Sequence, residues 1–232
     1  MTYWFYHFSK FLLWVFFRLG FGLEVTGQEH VPTRGPCILA SNHVSFFDPP
    51  VLGAACPRRL GFMARDTLFG NFWLGAFMRG VHVIPLKRDA GDLAAMRQAL
   101  ARLRAGDVVA IFPEGGRQFS GQFGTVKRGV GLLAEAARAP VVPVVVRGTF
   151  QALPPTENRP HRAKIRVAFG PAIAYTTRPA TRTSMLESLD LRNLEHAGTQ
   201  PAAAEASARE RHEAFARSVA DQWRRLAEQR NG

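Results

Sequence analysis

The chain has 232 residues, enough for one α/β domain with appendages and a sizeable core. An apolar share of 47% argues against global disorder, and the two cysteines, Cys37 and Cys56, sit in neither a CxxC pair nor a zinc-ligand spacing. The net charge of +12 calls for an anionic partner, whether nucleic acid, an anionic membrane surface or a phosphorylated substrate, without choosing among them.

Residues 3–23 read YWFYHFSKFLLWVFFRLGFGL. Charges interrupt the apolar stretch and no small-residue cleavage site follows, so the segment does not read as a signal peptide. A spanning helix needs about 20 predominantly apolar residues, and His7, Lys10 and Arg18 break the run. At about 100° per residue these three share one arc of roughly 80°. Phe5, Phe8, Leu12, Val15, Phe16 and Leu19 lie elsewhere. The pattern predicts a helix over residues 1–22 that anchors in the plane of a membrane. Docking on the domain and true spanning are the alternatives.

Leu23–Thr26 reads as a short strand and Gly27–Pro36 as a Gly/Pro-punctuated link. Cys37–Ala40 reads as a buried strand. Asp48-Pro49-Pro50 opens a helix to about Ala55, since Asp is a strong cap and Pro suits a first helical turn. Leu60–Ala64 is a second strand, Leu68–Met78 an aromatic helix and Val81–Leu86 a strand. Asp92–Arg104 is an amphipathic helix, Asp107–Phe112 a strand and Val126–Ala137 a helix. Val141–Val146 has the near-continuous Val of a strand buried on both faces, and Lys164–Phe169 alternates. This order predicts an α/β domain over residues 23–175, its largely parallel central sheet flanked by helices. Residues 176–232 read as a C-terminal helical extension. Within it, Arg209–Arg230 carries Phe215, Val219, Trp223 and Leu226 on one stripe, as a cover for the domain or as a further membrane or partner contact.

Four segments carry candidate chemistry. In the first, His43 precedes Asp48 by five residues. An imidazole exchanges protons near neutral pH. Five residues do not share a helical face, but a loop entering a helix can fold the carboxylate back to orient the ring. The other reading makes Asp48 a helix cap and His43 a satisfied buried ring. In the second, Phe112-Pro113-Glu114-Gly115-Gly116-Arg117 leaves a strand. Its glycines let backbone approach a ligand, and Arg117 can grip a phosphate bidentately. Pro-Glu-Gly-Gly is also an ordinary turn. In the third, the strand Val83–Leu86 ends in Lys87 and Arg88, where open α/β sheets bind ligands; two solvated charges are the alternative. In the fourth, Lys127-Arg128-Gly129 opens a helix, a natural anion site.

In this order the segments resemble the four motifs of the glycerolipid acyltransferase family that includes the 1-acylglycerol-3-phosphate acyltransferases. Asn42-His43 through Asp48 is similar to NHxxxxD. Gly80 through Arg88 resembles the second motif, a hydrophobic strand ending in Arg. Phe112 through Arg117 is similar to FPEGTR, with Gly116 in place of Thr. Val142-Pro143-Val144 resembles the fourth. The likeness covers about residues 23–170. A member of that family carries a longer N-terminal two-helix element, where this sequence shows one obvious apolar segment.

The resemblance implies transfer of a fatty acyl group from acyl-CoA or acyl-carrier protein to the free hydroxyl of a lysophospholipid. The expected acceptor is 1-acyl-sn-glycerol-3-phosphate and the product phosphatidic acid. Gly116 keeps another lysolipid, such as a lyso-amino-acid lipid, open. His43 and Asp48 are the expected catalytic residues. Arg88, Glu114, Gly115, Arg117 and Lys127 are the expected substrate-binding set, with Glu114 either binding an acceptor hydroxyl or organising the turn. No metal or cofactor is implied. Membrane lipids, at a membrane's cytoplasmic face, are the expected partners, not nucleic acid. Two other readings remain: a non-enzymatic basic protein binding nucleic acid or anionic membranes, and a hydrolase using the same dyad on water. Neither a nucleic-acid motif nor a run of five cations supports the former, and no G-x-S-x-G elbow marks a serine hydrolase.

Overall fold

The computed structural model describes residues 2–65, 69–70, 72–80, 83–86, 91–175 and 202–229. Helix α1 (Thr2–Phe21) leads into β1 (Glu24–Thr26) and a 3-10 turn at Gln28–His30. There follow β2 (Cys37–Ser41), α2 (Asp48–Ala55), β3 (Leu60–Gly61), β4 (Met63–Arg65), α3 (Phe72–Gly80) and β5 (Ile84–Leu86). Then come α4 (Gly91–Arg104), β6 (Val108–Ile111), α5 (Gly129–Ala137), β7 (Val141–Arg147), α6 (Thr149–Ala152), β8 (Arg166–Phe169) and α7 (Ala202–Glu228).

Six strands form one sheet in the order β1-β8-β7-β2-β6-β3. Every pairing is parallel except β7 with β8. The expected largely parallel sheet is therefore present, with β8 returning antiparallel to β7 and β1 at the edge beyond it. Strand β2 lies at its centre and all five residues are buried. Strand side chains alternate between faces, and the core divides accordingly. Leu39, Val142, Val144 and Val146 join Phe17, Val51 and Leu52 on the face of α1 and α2. Ile38, Ala40, Val141 and Val145 join Leu103, Leu133, Val219 and Trp223 on the face of α4, α5 and α7. Each fully buried Val, Leu, Ile or Phe contributes about 1.5–3 kcal/mol, so both helical layers are bound to β2.

Several elements differ from the sequence expectation. The single strand expected at Leu60–Ala64 is two. β3 pairs with β6, whereas β4 pairs with β5 in a separate parallel ribbon. The chain leaves the main sheet at Phe62, whose ring comes 3.6 Å from where a Cβ on Gly53 would stand. The helix expected from Val126 begins at Gly129, so Lys127 and Arg128 precede it. The short α6 has no periodic signal and was not expected. Helix α7 begins at Ala202, seven residues before the expected start. The expected boundary at residue 176 lies outside the described residues.

The stripe on α7 is seated as its spacing predicts, with Val219 and Trp223 fully buried. The helix lies against α5 and β7. Gly131 permits the approach: a Cβ there would lie 2.9 Å from His212 Cα.

On helix α1, Tyr6, Ser9, Phe17 and Phe21 are buried on the domain side, and Tyr6 Oη accepts the Leu60 N–H at 2.9 Å. Lys10, which shares one arc with His7 and Arg18, turns inward and donates to the Cys56 carbonyl. The carbonyl end of α2 is partially negative and offers the ammonium a partner. Burial lowers the Lys10 pKa below its ordinary value. The apolar face faces outward, with Trp4 84% and Leu19 81% exposed and Phe8, Phe11, Leu12 and Phe16 beside them. Among the described residues, no helix is long and apolar enough to cross a membrane.

Candidate active site

Strand β2 ends at Ser41, and the chain then has to leave β7 to enter a loop. Asn42 makes the separation. Its Nδ2 donates to the Val146 carbonyl at 3.0 Å, and its Oδ1 accepts the Val146 N–H at 2.8 Å. The side chain thus stands in for the next rung of the ladder. The parting strands border a cavity of about 330 Å³, with Asn42 and Val44 on one wall and Val146, Gly148 and Phe150 on the other.

His43, between two of these residues in the chain, does not itself line the cavity. Its ring stacks on Phe112, with centroids 4.1 Å apart and planes at 21°. Nδ1–H donates to Asp48 Oδ2 at 2.9 Å. The same oxygen accepts the backbone N–H groups of Val44 at 2.7 Å and Ser45 at 2.8 Å. The cap of α2 is Phe47, not Asp48. Asp48 occupies the first turn and reaches back over the loop, so the helix-cap reading does not describe it. Its side chain is fully buried, whereas that of His43 is 16% exposed. A carboxylate can only accept, so the proton of the neutral ring sits on Nδ1 and Nε2 is left with its lone pair. Such a ring can take a proton from an alcohol.

The turn after β6 is tied to the same loop. Glu114 Oε2 accepts the His43 N–H at 2.9 Å, and Oε1 accepts the Gly124 N–H at 2.8 Å. The Gln118 N–H donates to the His43 carbonyl at 2.7 Å. Burial pushes the Glu114 carboxyl above its ordinary value, although both amides and His43 pull it down. Through both oxygens Glu114 thus ties the turn to the His43 loop, the turn-organising reading of this residue.

The expected anion-binding residues are only partly gathered. Gly115 has φ +81°, the left-handed region that glycine tolerates, and a Cβ there would overlap Lys127 Nζ. Arg117 lies with its Cζ 3.5 Å from the centroid of the Phe46 ring. A Cβ on Gly116 would meet nothing within 4 Å, so a threonine side chain would fit there. Arg88 lies outside the described residues. Among the described residues, no three His, Cys, Asp or Glu side chains gather as a metal site.

Sequence reasoning placed Asn42, Phe46 and Phe112 in motifs without a role, and it missed Gln118 and Gly124. An Asn ending a buried strand is a usable signal for a side chain that mimics backbone. Gly124 gives none, because its contribution is a backbone N–H.

A family model described as Acyltransferase matches residues 22–147. The chain belongs to the acyltransferase family. This acyltransferase is 30% identical over 144 residues to the 1-acyl-sn-glycerol-3-phosphate acyltransferase of Bacillus subtilis (strain 168), covering 62% of this chain and 71% of that protein. It is 33% identical over 138 residues to the human 1-acyl-sn-glycerol-3-phosphate acyltransferase alpha, covering 58% of this chain and 49% of that protein. The chain thus spans about half the length of its mammalian relatives. Its fold is shared with the crystal structure of PlsC, the 1-acyl-sn-glycerophosphate (LPA) acyltransferase from Thermotoga maritima. The TM-score is 0.65 at 21% identity, over 86% of this chain and 81% of that one.

Proposed function

We propose that this acyltransferase moves a fatty acyl group from a thioester onto the free hydroxyl of 1-acyl-sn-glycerol-3-phosphate, giving phosphatidic acid. The observation that carries this reading is the His43 Nδ1–H held on Asp48 at 2.9 Å, which leaves Nε2 as a base. Nε2 takes the proton of the acceptor hydroxyl, and the oxygen forms a bond to the thioester carbonyl carbon. The C–S bond then breaks, and the imidazolium returns the proton to the departing thiolate. Asp48 stabilises the charged ring in between. Acyl-CoA and acyl-carrier protein present the same thioester to these steps. The steps use no metal or cofactor.

Arg117 and Lys127 supply the charge for the acceptor's phosphate, and the Gly115-Gly116 turn brings backbone close to it. The relatives' names support this acceptor. The outward aromatic face of α1, together with the net charge of +12, supports a site at an anionic membrane surface. Cys37 and Cys56 are buried free thiols, that of Cys37 pushed up to about 12 by burial. Reduced thiols fit the cytoplasmic face.

The test is an acyl-transfer assay on purified protein with a panel of lysolipids and both donor types. His43→Ala should lose turnover while its thermal melt stays at the wild-type value. A folded His43→Ala protein with wild-type activity would remove the mechanism.

A further inference from the structure

The Arg117 guanidinium rests on one aromatic ring and lies near a second, and the expected chemistry leaves both unused. Its Cζ lies 3.5 Å from the centroid of Phe46 and 5.8 Å from that of Phe119. These rings are 49% and 65% exposed, so neither is placed by burial in the core. Phe46 stands in the loop between His43 and Asp48, and its neighbours are fixed. Ser45 Oγ donates to the Leu153 carbonyl at 2.7 Å. The Phe47 ring meets Phe17 and Phe21 edge-on, at centroid distances of 5.3 Å. Arg117 is fixed from the other side, since the next residue, Gln118, donates its N–H to His43. The loop that carries the base therefore also carries the platform on which this cation rests.

We propose that Phe46, backed by Phe119, is a positioning residue that presents Arg117 to the acceptor's phosphate beside His43. This rests on the phosphate-bearing acceptor proposed above. A ring attracts the face of a guanidinium, whereas a phosphate is bound through its in-plane N–H edges. One group can therefore hold both. The stack fixes a long, flexible side chain before the ligand arrives, which lowers the entropy lost on binding. Phe46 thereby favours phosphate-bearing acceptors over phosphate-free ones, and it acts through Arg117 without touching the reacting atoms.

The experiment compares wild type, Phe46→Leu, Phe46→Tyr, Phe119→Leu and Arg117→Ala in mixed detergent micelles. The acceptors are lysophosphatidic acid and a monoacylglycerol. Phe46→Leu should raise KM for lysophosphatidic acid by about 3- to 10-fold, the range of a partly screened cation–π contact. The effect should fall on KM more than on kcat and be absent with the monoacylglycerol. Phe119→Leu should do less, and Phe46→Tyr should keep the wild-type KM. Thermal melts identify any variant that fails to fold, and the half-exposed Phe46 gives that variant little to lose. An Arg117→Ala effect without a Phe46→Leu effect would overturn the platform and leave the acceptor reading intact. Equal Phe46→Leu effects on both acceptors would also overturn it, by assigning the ring to the lipid or the micelle. An unchanged KM in Arg117→Ala would remove the phosphate reading itself.

Discussion

Asn42 and Val146 are joined at both ends of one side-chain amide, donor to carbonyl at 3.0 Å and acceptor to N–H at 2.8 Å. Asn42 is 2% exposed, so no solvent replaces these bonds. Each buried backbone group left without a partner costs about 1–3 kcal/mol. Asn42→Ala should therefore lose about 2–4 kcal/mol by urea unfolding. Asn42→Asp should cost at least as much at neutral pH, because a carboxylate oxygen would then face the Val146 carbonyl. A loss under about 0.5 kcal/mol would mean that the loop is held from elsewhere.

Asp48 combines an electronic and an architectural role, and two substitutions separate them. Asp48→Asn keeps an acceptor for the amides of Val44 and Ser45 but no longer selects the useful ring tautomer. Its kcat should fall about a thousand-fold or more, with a melt close to wild type. Asp48→Ala should also unfold more easily, by about 2–5 kcal/mol, because three donors lose one acceptor. Steady-state kinetics beside thermal melts check both. An Asp48→Asn enzyme at wild-type rate would reduce Asp48 to architecture.

Glu114 gives a pH signature. Burial raises its carboxyl above the ordinary range, so the folded protein binds this proton more tightly than the unfolded chain does. The contribution of this group is then greatest in acid. It declines as pH rises from the ordinary carboxylate range through the raised value. Glu114→Gln removes the titration and also loses one backbone acceptor. Urea unfolding across the mildly acidic range should show wild type losing its advantage over Glu114→Gln as pH increases. An advantage that grows with pH would show that the paired amides outweigh burial.

The outward face of α1 can be changed without touching its inward one. Trp4→Gln, Phe8→Gln and Phe11→Gln together alter side chains that are 84%, 59% and 58% exposed. Folding stability should move by less than about 1 kcal/mol. Co-sedimentation with anionic phospholipid vesicles should drop at least ten-fold. Undiminished sedimentation of the triple variant would place the lipid-binding surface elsewhere.

The core of this fold was legible in its sequence because few alternatives satisfy it. Val141–Val146 and Cys37–Ala40 are apolar on both faces, and a parallel sheet covered on both sides accommodates them. The stripe of Val219 and Trp223 was legible from helical spacing alone. The break at Phe62 was not, because the ring's seat over Gly53 is a contact nine residues distant. The partner of Lys10 was not legible for a related reason: the carbonyl it meets stands at the end of another helix. At the site, residue types and order pointed to His43 with Asp48. The carboxylate's grip on two loop amides, and the role of Glu114 in holding backbone, depend on N–H groups that no side-chain pattern encodes.

Helices α1 and α2 meet at both ends of α2. Phe17 and Phe21 touch Phe47, just ahead of Asp48, and Lys10 reaches the carbonyl of Cys56 beyond the last turn. The two run antiparallel, like a splint bound at top and bottom. A surface gripping the outer side of α1 would therefore fix the depth of the imidazole as well. The terminal helix would then be a gauge that sets how far a lipid must rise to be acylated.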